Sequence, residues 1–231
     1  MKRTLKWIFP MAAFLLLAAG CTKSEDSTNN STTGDVTDVD GNNYHSVTIG
    51  SQVWLSENLK TTKYRDGSPI SLVSSESEWS KLTTSAYCNF NNDVNNVAVY
   101  GRLYNFFAVA DSRGIAPSGW HVATDADWTT LSNFLGGEVL AGGKMKETGT
   151  SHWQSVNTGA TNETGFTALP GGMRHSSDGS FGQLGGYGYW WTSTENDVNT
   201  AMMRSLYYND TEVHHALFDK QPGFSVRCIK D

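Results

Sequence analysis

The bulk that this chain can bury lies in its rings. Eight Trp, nine Tyr and ten Phe stand beside 23 Gly and only five Pro. Large rings cover much area each, and glycine opens backbone conformations that tight turns need. With low aliphatic content, this composition points to a loop-rich domain pinned by aromatic side chains, as is common in extracellular binding modules.

The first forty residues differ from the rest. Lys2, Arg3 and Lys6 flank the start of an apolar run from Trp7 to Ala19, the layout of a secretory signal. The run is about 13 residues and contains Pro10, whereas a membrane-crossing helix needs roughly 20. Ala18-Ala19-Gly20 stand directly before Cys21 and, with Leu16 and Leu17, resemble a bacterial lipobox, although Ala18 holds the place usually taken by leucine. The expectation is cleavage after residue 20 and acylation of Cys21 by fatty acids such as palmitate; the alternative is ordinary signal cleavage that leaves Cys21 a bystander. Residues 21–39 then form a tether with no aromatic residue and only Val36 and Val39 as aliphatics, too polar to order itself. Lys23-Ser24-Glu25-Asp26 resembles signals that send some lipoproteins to the outer face of the outer membrane; the plainer reading is a solvated linker. The expected location is the outer membrane, lipid-anchored, with the membrane itself as first partner.

Residues 40–231 suffice for one domain with a sizeable core. Loss of Lys2, Arg3 and Lys6 takes the 17 basic residues to 14 against 23 acidic ones, a net charge of −9. That balance argues against nucleic acid as a partner and against a basic membrane-binding face. Cys88 and Cys228 either form one disulfide across the domain or remain two separately buried thiols.

Tyr44–Ile49 and Gln52–Asn58 alternate around Gly50-Ser51 and predict a hairpin, with Val53 and Leu55 on one face and Trp54 on the other. Leu103, Phe106, Phe107 and Ala110 have helical spacing, which predicts a helix over 101–110. Thr124–Leu135 predicts the clearest helix, with Thr124 and Asp127 as a capping box and Gly136-Gly137 as its stop. Glu138–Glu147 predicts a short third helix, weakened by Gly142-Gly143. Strands are expected at 187–193, 201–208, 212–218 and 224–229, the middle two joined through Asn209-Asp210-Thr211. The fold class is α+β, with two main helices, small antiparallel sheets and long loops.

Several ordered blocks are more specific than composition. They are Asp38-Val39-Asp40-Gly41-Asn42-Asn43-Tyr44, IGSQVWLSENLKTTKYRDGSPI from Ile49, YGRLYNFFAV from Tyr100, APSGWHVATDADWTTL from Ala116, GGYGYWWTSTE from Gly185 and GFSVRCIKD from Gly223. Together they resemble the Fibrobacter succinogenes major paralogous domain family over residues 38–231. The resemblance implies an exported, often lipid-anchored bacterial protein with no generally established activity. It also implies a C-type-lectin-like fold related to formylglycine-generating enzymes, in which N- and C-terminal strands meet and long loops form the upper face. Many members have Cys-Pro where this chain has Ala116-Pro117, which removes one partner that Cys228 would otherwise have.

Catalytic chemistry finds little footing. None of His45, His121, His152, His175, His214 and His215 stands in a nucleophile-activating context. His121 reads as a packed or capping residue. His214 and His215 are neighbours in a strand and point to opposite faces, so they do not converge on a zinc ion. Cys228 lacks the second cysteine that copper-dependent oxidation would use. Glu147, Glu163, Asp178 and Glu195 are acidic but unpaired by any sequence feature. Gln221-Pro222-Gly223 and Tyr208-Asn209-Asp210 are incomplete versions of lectin calcium motifs, and the Gly-rich 182–188 lacks the lysine of a phosphate loop. The expectation is a domain with no catalytic residue, no metal and no cofactor.

For ligand contact the sequence offers Gly171–Trp191 and the Tyr207-Tyr208 hairpin. Tyr187, Tyr189, Trp190 and Tyr208 would stack on sugar faces, while Arg174 and Asp178 would read hydroxyls. Packing is the competing role, since alternation turns at least one of Trp190 and Trp191 inward. The function expected is a lipid-anchored binding module for a glycan or protein ligand. Its rival is a structural, adhesin-like surface protein, and a cryptic enzyme of the formylglycine-generating type stands third.

Overall fold

The computed structural model describes Met1 and residues 35–231, so the expected signal, Cys21 and most of the tether lie outside the described residues. The predicted N-terminal hairpin is present as β1 (Ser46–Ile49) and β2 (Gln52–Leu55), in register Val47↔Trp54 and Ile49↔Gln52. Gly50 makes the turn at φ +62°, and a Cβ there would lie 2.8 Å from the Phe134 ring, so both backbone and neighbour require glycine. The faces divide as alternation predicts. Val53 and Leu55 pack into one hydrophobic cluster, while Trp54 packs into a second with Val47 and Ile49.

The remaining main strands are β3 (Trp120–Val122), β4 (Tyr187–Glu195), β5 (Thr200–Tyr207), β6 (His214–Asp219), β7 (Ser225–Val226) and β8 (Cys228–Lys230). One four-stranded sheet runs β1-β2-β8-β3, so the two ends of the domain meet where Ile229 pairs with Trp54. The other runs β6-β5-β4-β7, antiparallel except for the β4–β7 pair. Shorter pairs complete the domain, among them Ser71–Leu72 with Ala86–Cys88 and Leu103–Tyr104. The expected single strand at 224–229 is split between the two sheets at Arg227. Its buried guanidinium donates to Leu55 O (2.9 Å), Phe166 O (2.7 Å), Thr167 O (3.0 Å) and Asn58 Oδ1 (2.8 Å), and burial lowers its pKa to about 9.

Five α-helices are present among the described residues: α1 (Glu76–Trp79), α2 (Asn95–Tyr100), α3 (Phe106–Val109), α4 (Asp125–Phe134) and α5 (Glu138–Met145). The helix expected over 101–110 is reduced to the single turn of α3. Leu103 and Tyr104 instead pair with Cys88 and Tyr87, and Tyr104 N–H donates to Phe224 O, so strand hydrogen bonds override the helical spacing. In α4 the predicted capping box is complete: Thr124 Oγ1 accepts from Asp127 N, and Asp127 Oδ2 accepts from Thr124 N. Gly142 and Gly143, which weaken α5 on propensity, are where it touches its neighbours; a Cβ on Gly142 would lie 2.4 Å from Glu212 O. The architecture is thus mixed α+β with several small sheets. No helix among the described residues is long and apolar enough to cross a membrane.

Three buried clusters make up the core. Both Trp190 and Trp191 are fully buried, because β4 is covered on both faces: Trp190 packs with Trp54 and Trp128, and Trp191 with Phe106 and Phe224. Cys88 and Cys228 are free thiols buried in different clusters, so the disulfide alternative is not what the structure contains. Burial raises the Cys88 thiol to about 12 and pushes Cys228 upward as well.

Candidate functional site

The residues picked from sequence for ligand contact are mostly structural. Arg174 is fully buried, donating to Val73 O (2.6 Å), Ser74 O (2.9 Å) and Gly179 O (2.8 Å), with its guanidinium between the rings of Trp79 and Phe181. Trp190 spends its indole N–H on Asn58 Oδ1 at 2.8 Å, and Tyr189 stacks between Tyr187 and Phe224. Asp178 is exposed but holds a turn, accepting from Ser180 N and Ser180 Oγ. Only Tyr187, Tyr207 and Tyr208 keep partly exposed rings, and they lean on one another edge to face. The structure brings these residues together as packing, not as a cup.

A different surface is concave. Two adjoining depressions of about 450 and 410 Å³ share Thr83 and the half-buried Phe107. The first is closed by Val198, Asn199, Asp219, Lys220 and Gln221, the second by Tyr64, Ser71, Thr84, Ser85 and Arg113 among others.

Local chemistry fixes the ring between them. Asn105 is the N-cap of α3; its Oδ1 accepts from Ala108 N (3.1 Å) and Ala86 N (3.0 Å), and its Nδ2 donates to Thr84 O (2.8 Å). Phe106 turns inward onto Trp191 at a ring separation of 5.3 Å, which leaves Phe107 facing out. Ser85 Oγ donates to Phe107 O (2.9 Å), and Phe106 N donates to Lys220 O (2.9 Å), joining α3 to both depressions. Lys220 Nζ is held by the Glu195 carboxylate and by Val198 O (2.9 Å). At the far end Arg113 stacks on Tyr64, 3.7 Å from the ring centroid, and grips Asp111 through two hydrogen bonds of 2.9 and 2.7 Å. That grip holds the Asp111 carboxyl at about 2. The groove therefore offers the Phe107 ring with side-chain amides (Asn199, Gln221) on one side and hydroxyls (Ser71, Thr84, Ser85) on the other. Asp219 is the one carboxylate among its lining residues.

Most of the acidic residues and histidines considered for catalysis face one another or a base. Glu147 faces His152 at 2.8 Å, Glu163 faces Lys144 at 3.1 Å, and Glu195 faces Lys220. His121 bridges Asp127 (3.2 Å) and Asp231 (2.8 Å), tying the α4 cap to the C-terminal residue. His214 meets Asp210 at 2.9 Å and stacks on Tyr207, whereas His215 points to the other face, 3.6 Å from Glu138. Asp38 and Asp40, close together in an acidic turn, are occupied by Tyr44 Oη and by Thr62 N and Oγ1. Among the described residues no group of three or more His, Cys, Asp or Glu side chains is placed to hold a metal ion.

The sequence model of the Fibrobacter succinogenes major domain matches residues 47–230, from the first hairpin to the last strand. The chain belongs to the Fibrobacter succinogenes major domain family. No curated protein and no solved structure matches it. Within this family member the groove at Phe107 lies outside the cluster that sequence reasoning favoured. Two signals pointed toward it: YGRLYNFFAV, read as a buried helical stripe, and Gln221, noted as part of a broken calcium motif.

Proposed function

We propose that this family member is a lipid-anchored protein of the cell envelope whose domain binds a glycan in the groove over Phe107, without catalysis. The observation that carries the reading is the pair of depressions sharing one outward ring, bordered by Thr83, Asn199 and Gln221 on one side and by Thr84, Ser85 and Ser71 on the other. A sugar ring stacks its C–H face on an aromatic face, and hydroxyl and amide groups at the rim read its hydroxyls. The fold is read as C-type-lectin-like, supported by the meeting of the first hairpin and last strand at Trp54 and Ile229. The proposed anchoring rests on the leader and Cys21, and the proposed outer-membrane location on Lys23-Ser24-Glu25-Asp26. A second reading, a structural or adhesin-like surface protein, is favoured by the burial of Trp190, Trp191 and Arg174.

Two measurements test the proposal separately. A fatty-acid probe fed to cells is expected to label the unaltered protein and not Cys21→Ser; an unlabelled wild type would remove the anchor. The purified protein on a glycan array is expected to retain a family of related oligosaccharides. Silence across plant, host and bacterial polysaccharides would leave the adhesin-like reading.

A further inference from the structure

The β6 strand (His214–Asp219) is the edge of its sheet: it pairs with β5 in an unbroken register from Ser205↔His214 to Thr200↔Asp219, and among the described residues no strand pairs with its other side. Among the described residues no backbone hydrogen bond joins residues 214–219 to any segment other than β5. Every second residue of an antiparallel edge therefore turns its N–H and C=O outward without a partner. Edge strands are usually blunted by lysine, proline, a bulge or a cover. This one, His-His-Ala-Leu-Phe-Asp, has no lysine, proline or bulge within the strand, and its one charged side chain is Asp219 at the end.

Its side chains also complement themselves. His215, Leu217 and Asp219 occupy the outer face and are exposed, Leu217 by 47 %. Continuing a sheet through a two-fold axis requires antiparallel edges whose facing residues point to the same side. A register centred on Leu217 satisfies this: Leu217 then faces Leu217 of a second copy, and each His215 faces an Asp219. The Asp219 carboxylate, at the rim of the first depression, meets no hydrogen-bond donor among the described residues; the pairing would give it the ring nitrogen of His215 that does not face Glu138 in its own chain.

We propose that the β6 edge is a self-association surface, joining two copies of this chain into one continuous eight-stranded sheet through a Leu217-centred antiparallel pair. The occupant is a second copy rather than an unrelated strand because this one register sets the exposed Leu217 against its own apolar copy and, on both sides of it, an imidazole (His215) against a carboxylate (Asp219), an isologous contact. The contact is one strand wide, so the dimer is a weak one.

The test uses the full chain purified in detergent, with Leu217→Cys compared with Val198→Cys, a more exposed site (81 % against 47 %) in the loop between β4 and β5, so that accessibility alone would favour the control. Facing cysteines at the two-fold lie within disulfide reach. Under diamide, which takes up the two thiol hydrogens, Leu217→Cys is expected to form covalent dimer at least tenfold faster than Val198→Cys. Mixing His215→Cys with Asp219→Cys chains should give the mixed dimer several-fold faster than either chain alone, which reports the register. Equal rates for the two single-site variants, or no preference in the mixture, would overturn the proposal.

Discussion

Trp190 and Asn58, 132 residues apart, are joined by a 2.8 Å hydrogen bond from the indole N–H to the amide oxygen, and Arg227 Nε donates to that same oxygen at 2.8 Å. The Asn58 Nδ2 donates in turn to Tyr100 O (2.8 Å) and Ser225 Oγ (3.3 Å). One buried amide thus ties the segment after the first hairpin to β4 and β7 of one sheet and to Arg227, where the chain passes to the other. Removing it strands a buried indole N–H and part of a buried guanidinium, and each such loss costs about 1–3 kcal/mol. Asn58→Ala is expected to lower the unfolding free energy by about 3 kcal/mol in urea titrations, and Asn58→Asp, which keeps an acceptor, by less.

Arg174 carries a contrasting prediction, because a ligand-reading arginine could be removed without harm to the fold. Here it satisfies three loop carbonyls from inside the protein. Arg174→Ala should destabilise the domain by about 3 kcal/mol or more through those unpaired carbonyls and the void between Trp79 and Phe181. Thermal unfolding measures this. A variant as stable as the wild type would return Arg174 to the list of surface residues.

Gly142 sets helix propensity against packing. Replacing a helical glycine with alanine contributes about 1 kcal/mol on propensity alone. The added methyl, however, would sit 2.4 Å from the Glu212 carbonyl oxygen and 2.9 Å from a Leu206 methyl. Backbone must move, at about 1–3 kcal/mol. Gly142→Ala is expected to be net destabilising, whereas a Gly67→Ala change, with open space around it, should show only the cost of its left-handed backbone, φ +86°.

One source of acid sensitivity lies at the end of the groove. Hydrogen bonds from Arg113 hold the Asp111 carboxyl at about 2, below its ordinary 3.8. A depressed carboxyl stabilises the fold fully above its unfolded value and loses that contribution as pH falls toward its folded one. Asp111 therefore contributes above about pH 4, and its contribution disappears as pH drops through about 2. Carboxyl-carbon NMR titration should show that midpoint, and Arg113→Ala should move it up toward the ordinary value.

What the sequence made legible was local. Alternation identified the hairpin at Gly50, ring-rich runs and the Asn209-Asp210-Thr211 turn the strands between Tyr187 and Phe218, and Thr124 with Asp127 the start of α4. Each of those signals is written within a few residues. The helix expected over 101–110 failed because its backbone bonds go to Cys88, Tyr87 and Phe224, which no nearby residue reveals. Alternation placed Trp190 and Trp191 on opposite faces, but whether a face is wet depends on what the rest of the chain lays over it. The groove was hidden for the same reason: Tyr64, Thr83, Phe107, Asn199 and Gln221 come from five separated segments. Arg174 looked like a polar reader because sequence shows a charge and not the three carbonyls waiting for it.

The most direct test of the binding account is the dissociation constant of the strongest array glycan for wild type and for Phe107→Ala, measured together with thermal stability. Phe107 faces out between the two depressions, so its removal should spare the fold while weakening the glycan at least tenfold, about 1.4 kcal/mol. An unchanged constant in a folded Phe107→Ala protein would contradict the assignment of this groove as the glycan seat.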